Sequence, residues 1–251
     1  MKARTLIAIF ALMVLVMLSY VVFAEPQGPG TVQNVTPERR TTGIDTTAGI
    51  AVQAQAGNVT ALNINSTRLT SRWQGYYGNI TGVITLDDAN NNTLYNWRIA
   101  SPQGEIYAVN HSTTPTWANV DCFNYSDSTQ NVTFAELESS LGLAPADRDG
   151  VNETFNLTYT GSFSAGTKTI TAGDECPIAS LFVSDAYSGV RFNETILFQN
   201  QSDDMVIYAA LLEQDQTGFQ GGSSTLDFEM IVGENGDSTE ATIYYFFVEL
   251  T

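Results

Sequence analysis

The residues that could do chemistry are few, and most of them point away from catalysis. His111 is the single histidine. A Ser-His-Asp or Cys-His arrangement would rest on it alone, and it stands among Asn110, Ser112 and Thr113 in a loop-like stretch. Cys122 and Cys176 are the only cysteines, too few with one histidine to close a zinc site. In an exported chain such a pair reads as a disulfide, which would stabilise the fold by roughly 4 kcal/mol on the chain-entropy account. The 27 Asp and Glu are compatible with paired-carboxylate hydrolysis, but no acid stands in a distinctive context. Residues 146–153, ADRDGVNE, look like an oxygen-rich cation loop. Their glycine comes too early for EF-hand spacing, and no glutamate closes the loop at the right distance, so an Asp-Gly turn is the simpler reading. There is no phosphate-cradling glycine loop, no HEXXH and no dinucleotide fingerprint. The sequence therefore assigns no catalytic, cofactor-binding or metal-ligating residue, and reads as a non-enzyme.

The motif that recurs is Asn-X-Ser/Thr, the acceptor for N-linked glycans. It occurs at Asn34, Asn58, Asn65, Asn79, Asn91, Asn110, Asn124, Asn131, Asn152, Asn156, Asn193 and Asn200. A single match is weak in a chain rich in Asn, Ser and Thr, whereas repetition in an exported chain carries weight. Glycans need exposed acceptors, so loop positions such as Asn91, Asn124 and Asn200 are favoured over Asn156, which reads as lying within a strand.

Export is itself legible. Lys2 and Arg4 precede an apolar run from Leu6 to Phe23, and Val22-Phe23-Ala24 has the small residues a signal peptidase reads. Cleavage between Ala24 and Glu25 makes residues 1–24 a signal peptide and leaves no membrane anchor. The same run is long enough to be a retained anchor, or the assembly helix of a prepilin-type leader. The formal net charge of −17 excludes nucleic acid and anionic lipid as partners, because such a surface repels both. It also favours solubility outside a cell.

The elements that must position these residues are strands. Residues 25–45 are rich in Pro, Gly, Thr and charge, and read as a flexible lead-in to a domain over 46–251. Residues 48–56, AGIAVQAQA, alternate as a half-buried strand does, and 59–64 make a second short one. Residues 71–108 hold Trp73, Tyr76, Tyr77, Tyr95 and Trp97 between Gly, Asn, Asp and Pro punctuation, and read as a β-meander. One short helix is expected where Thr133 and Glu136 form a capping box ahead of Leu137 and Leu141. Further strands follow at 155–159, 167–171, 179–183, 195–199, 205–212, 226–232 and 241–250. Such spacing predicts an all-β fold, an antiparallel β-sandwich of jelly-roll or Ig-like type with one capping helix. The final run Ile243-Tyr244-Tyr245-Phe246-Phe247-Val248 is apolar on both faces, and so should be central in its sheet or pair with another subunit.

At Ser71-Arg72-Trp73-Gln74-Gly75-Tyr76-Tyr77-Gly78-Asn79-Ile80-Thr81-Gly82, with Leu94-Tyr95-Asn96-Trp97 and Ser101-Pro102-Gln103-Gly104-Glu105-Ile106-Tyr107-Ala108, the chain resembles secreted, N-glycosylated archaeal surface proteins. The likeness continues through Glu213-Gln214-Asp215-Gln216-Thr217-Gly218-Phe219 to the aromatic C-terminus, and it implies a location outside the cell and no catalytic residue. A weaker resemblance is to archaeal extracellular filament subunits, in some of which an N-terminal strand completes the sheet of the next subunit. Three functional expectations result. The first is a structural subunit of a surface filament, pilus-like fibre or coat, self-associating into a polymer by donor-strand exchange. The second is a monomeric module that binds glycans or proteins through exposed aromatics. The third is a secreted hydrolase, which would need two acids facing each other across a cleft.

Overall fold

The computed structural model describes residues 25–33, 35–40, 51–64, 67–98, 103–126, 130, 132–200, 205–236 and 241–250. The expected leader 1–24, with Ala24, and the sequon asparagines 34, 65 and 131 lie outside these residues. The chain is all-β and antiparallel. Its strands are β1 (Trp73–Gly78), β2 (Val83–Asp87), β3 (Thr93–Arg98), β4 (Gly104–Val109) and β5 (Val120–Cys122). Two short helices follow, α1 (Phe134–Ser140) and α2 (Val151–Thr154). Then come β6 (Leu157–Thr158), β7 (Phe163–Ala165), β8 (Lys168–Ile170), β9 (Pro177–Ser180), β10 (Phe182–Val183), β11 (Ala186–Tyr187), β12 (Asn193–Gln199) and β13 (Met205–Leu211). The last four are β14 (Gln216–Thr217), β15 (Thr225–Leu226), β16 (Phe228–Gly233) and β17 (Tyr245–Leu250).

The centre is a seven-stranded sheet in the order β17-β4-β13-β12-β9-β6, with β5 also paired to β12. Both of its faces are covered, which is why EIYAV in β4 and MVIYAAL in β13 read as continuous apolar runs without alternation. One face presents Ile106, Ala108, Ile196, Phe198, Tyr208 and Ala210 to a β1–β16 ribbon and both helices. The other presents Tyr107, Val109, Leu197, Ile207 and Phe247 to Trp117 and the β7–β8 hairpin. Cys122 and Cys176 are joined as a disulfide beside this second layer, with Cα atoms 4.9 Å apart. The capping box forms as the sequence predicts. Thr133 Oγ1 accepts from the Glu136 amide at 3.3 Å, and Glu136 Oε2 accepts from the Thr133 amide at 2.8 Å.

Three expectations need correction. The stretch 71–108 is not a meander: among the described residues β1 pairs with β16, β2 pairs only with β3, and β4 pairs with β13 and β17. Pairing with the distant β16 lays Trp73 and Tyr76 on the central sheet, and the Asp227 carboxylate, accepting from the Ile80 amide at 2.8 Å, turns the chain away after β1. The strands expected at 48–56 and 59–64 are absent from the described residues there. Residues 51–64 lie exposed outside any strand; residues 51–56 are mostly Ala and Gln, which offer little apolar area to bury, whereas Val59, Leu62 and Ile64 stay exposed with no strand pairing them among the described residues. Finally, β17 is not central but forms one edge of the seven-stranded sheet.

Candidate functional site

The outer edge of β17 is where the two ends of the chain meet. Gln27 pairs with Val248 in an antiparallel bridge, its amide donating to the Val248 carbonyl at 3.0 Å and its carbonyl accepting from the Val248 amide at 2.8 Å. Alternation along a strand then turns the amides and carbonyls of Phe246 and Leu250 to the same outer side. Among the described residues Gln27 alone bridges this edge. Beside it Pro26 is buried in a notch lined by Pro115, Trp117 and Phe247. The floor is Gly166, held at φ +62°, where a Cβ would stand 2.5 Å from the Trp117 Cβ and 3.4 Å from the Pro26 ring. Only glycine leaves that room. The rings of Trp117 and Phe247 meet edge-on at 5.7 Å, and the buried indole N–H of Trp117 has no hydrogen-bond partner among the described residues.

Directly beneath, Glu249 of β17 stands in register with Glu105 of β4. Both are buried, at 1% and 5% exposure. Glu249 Oε2 accepts from the Gly166 amide at 2.8 Å; the single proton of the Tyr107 hydroxyl is shared between the Ser164 carbonyl at 2.6 Å and Glu249 Oε2 at 3.2 Å. Glu105 Oε2 and Glu249 Oε1 have no hydrogen-bond partner among the described residues. Burial, and then the charge of Glu249, push Glu105 up to about 8, so at neutral pH it holds a proton. Burial raises Glu249 as well. Two acids do face each other, but inside the core and not across a cleft. Substrate has no access to them.

Glu194 is a second buried acid. One of its oxygens accepts from the Ile231 amide at 2.8 Å, tying β12 to the covering ribbon, and burial raises it well above the usual carboxylate range.

The remaining candidates scatter. His111 is half-buried and its Nδ1 meets Thr113 Oγ1 at 2.9 Å. In the 146–153 loop, Asp147 accepts from the Ala144 amide at 2.8 Å and so serves the turn, whereas Asp149 accepts from the Thr70 hydroxyl at 2.5 Å and ties the loop to the segment before β1. Among the described residues no group of three or more His, Cys, Asp or Glu is placed to hold a metal ion. Asn58, Asn79, Asn91, Asn110, Asn124, Asn152, Asn156 and Asn200 are exposed. Asn156 thus departs from its expected place inside a strand, because α2 and its C-cap end just before it. Asn193 is half-buried in β12, its side-chain oxygen accepting from the Ser180 hydroxyl at 2.5 Å, and is the poorest acceptor of this set.

The aromatics divide in a way the sequence did not announce. Trp117 is buried and Trp73 half-buried, the latter donating its indole N–H to the Asp149 carbonyl at 2.7 Å. Trp97 is 51% exposed and Tyr95 58% exposed, side by side on the β2–β3 hairpin with ring centroids 4.8 Å apart.

Sequence reasoning missed Pro26, Gln27, Glu105 and Glu249. A signal existed for the last two, since an acid inside a run apolar on both faces, as in Tyr-Phe-Phe-Val-Glu-Leu, must be buried and partnered. None marked Gln27, because one bridge leaves no period. No helix among the described residues is long and apolar enough to cross a membrane. Compared with protein-family models, curated proteins and solved structures, the chain gives no match.

Proposed function

We propose that this chain is an exported structural subunit of an extracellular fibre or coat, a sandwich-type domain behind a cleaved leader, in which the N-terminal arm of one copy completes the β17 edge of the next. The observation that carries this reading is the Gln27–Val248 bridge with Pro26 in its notch, made by the residues that directly follow the expected cleavage point. Three further features support it. Residues 29–33, 35–40 and 51–64 are exposed and outside any strand. The tether from 29 to 72 would span roughly 140 Å at full extension, long enough to reach a second copy. An element that docks at the end of a long tether is readily exchanged between copies. The β17 edge, apolar and aromatic, is an aggregation hazard unless something pairs with it.

Exposed sequons would place glycans around such a polymer, and the disulfide suits an oxidising exterior. Deleting residues 25–28 from the secreted protein tests the reading. The full protein should form polymers visible by electron microscopy, and the shortened one should remain monomeric with its melting temperature within a few degrees. Polymers of unchanged length in the shortened protein would refute it.

A further inference from the structure

The end of the central sheet away from β17 is closed differently. There β9 pairs β12 along 193–195, β5 pairs it along 197–199, and β6 pairs β9 from outside. Among the described residues no strand pairs the outer side of β5 or β6. An open strand edge invites pairing with another chain unless it is short, blocked or covered. β6 is short, at 2 residues. β5 is blocked by a side chain. The amide of buried Gln130 donates to the Cys122 carbonyl and accepts from the Asn124 amide, both at 3.3 Å, as a peptide group of a next strand would.

Between these two strands lies a groove of about 640 Å³. Four of the exposed sequon asparagines line it, each brought by a different part of the fold. Asn124 follows β5, Asn152 lies in α2, Asn156 leads into β6, and Asn200 follows β12. We infer that this groove is the seat of N-linked glycans carried by the chain itself, and that they cover the second edge of the sheet and leave β17 as the edge where copies join.

The acceptors select the occupant, because a sugar on any of the four begins at the groove. Its volume is in the range that holds small organic ligands, and half-buried Tyr125 and exposed Leu157 offer apolar surface to the C–H face of a sugar ring. A peptide strand finds the β5 edge already satisfied by Gln130. A cation finds the acids engaged, since Asp121 is paired with Lys168 and Asp174 accepts from the Thr171 amide at 2.7 Å. In the transfer, Asn Nδ2 bonds to the sugar C1 as the C1–O bond to a lipid-linked phosphate donor breaks. The amide gives up one proton, the lipid phosphate leaves, and nothing is oxidised. Asn156 Nδ2 donates to the Glu153 carbonyl at 2.8 Å, and the N–H that remains after transfer can keep that bond. The inference rests on the reading of the chain as an exported subunit, but not on the arm that joins copies at β17.

Glycopeptide mass spectrometry of the native secreted protein, with cysteine labelling, tests it. Leu157→Cys on β6 is the probe, Thr85→Cys on β2 the control, and the disulfide-bonded Cys122 and Cys176 do not react. The inference requires sugar on at least two of Asn124, Asn152, Asn156 and Asn200. It also requires that a bulky maleimide label Leu157→Cys several times more slowly in the native background than in N124Q/N152Q/N156Q/N200Q, with Thr85→Cys labelled equally in both. If the fourfold variant is not secreted, single Asn→Gln variants of the occupied acceptors replace it, and at least one must speed labelling. An unchanged rate at Leu157→Cys overturns the inference. So does sugar at Asn58, Asn91 or Asn110 with all four groove acceptors bare, a result that leaves export standing. A chain without sugar at any sequon overturns it together with the glycoprotein reading. Polymers unaffected by removal of residues 25–28, with Leu157→Cys still shielded, refute the β17 reading and leave this one in place.

Discussion

At the scale of single residues, the buried acids define how the molecule responds to pH. Glu105 has its carboxyl raised from the ordinary 4.5 to about 8 by burial and by the neighbouring Glu249. A carboxyl raised on folding leaves stability intact below its unfolded value, and the stability is lost as pH climbs toward the folded one. The window for Glu105 therefore runs from about pH 4.5 to 8. Glu229, raised by burial to about 6, adds a loss of the same sign in the lower part of that window. Chemical denaturation at a series of pH values should show stability falling through this range, at a slope on the order of 1 kcal/mol per pH unit where it is steepest. Glu105→Gln should make the upper part of the profile shallower and leave the parts due to Glu229 and to Glu194, which burial also raises. A variant that keeps the full slope between pH 6 and 8 would show that Glu105 is not the group that titrates there.

At the scale of elements, legibility followed how local each cause is. The α1 cap was readable because its whole mechanism lies within Thr133 to Glu136, and the two reciprocal bonds are present. Thr133→Ala should cost about 1 kcal/mol in thermal or urea unfolding, and no measurable loss would mean the cap is redundant with the packing of Leu137 and Leu141. Strand positions from β12 onward were also close to those expected, since runs such as Asn193–Gln199 and Met205–Leu211 are apolar enough to declare themselves. Pairing was not legible. β1 joins a partner more than a hundred residues away because that ribbon covers the sheet, a fact of three-dimensional layering that no local pattern encodes. Residues 51–56 show the opposite failure. Their alternation has the strand period, yet Ala and Gln bring too little apolar area to claim a place in a sheet that is already covered on both faces. The candidate site at Pro26 and Gln27 was invisible for a related reason, because its partner strand lies at the far end of the chain.

At the scale of the whole molecule, charge and edges work against each other. A net charge of −17 disfavours contact between copies at low ionic strength, whereas the β17 edge proposed to join them is largely apolar and aromatic. Assembly should therefore be promoted by salt. Raising sodium chloride from about 0.02 M to 1 M shortens the screening length from roughly 20 Å to 3 Å, and polymer mass by light scattering should rise with it. Polymers that dissolve on adding salt would mean that ion pairs between copies hold them, which the scarcity of basic residues makes hard to build.

The central claim is that the bridge at β17 is made between copies. Gln27→Cys with Val248→Cys places a thiol on each partner of that hydrogen-bonded pair. After oxidation of native material and denaturing electrophoresis without reductant, exchange between copies gives a ladder of covalent oligomers that collapses to monomer on reduction. A single band of internally closed monomer, from material that electron microscopy shows to be polymeric, would contradict the claim.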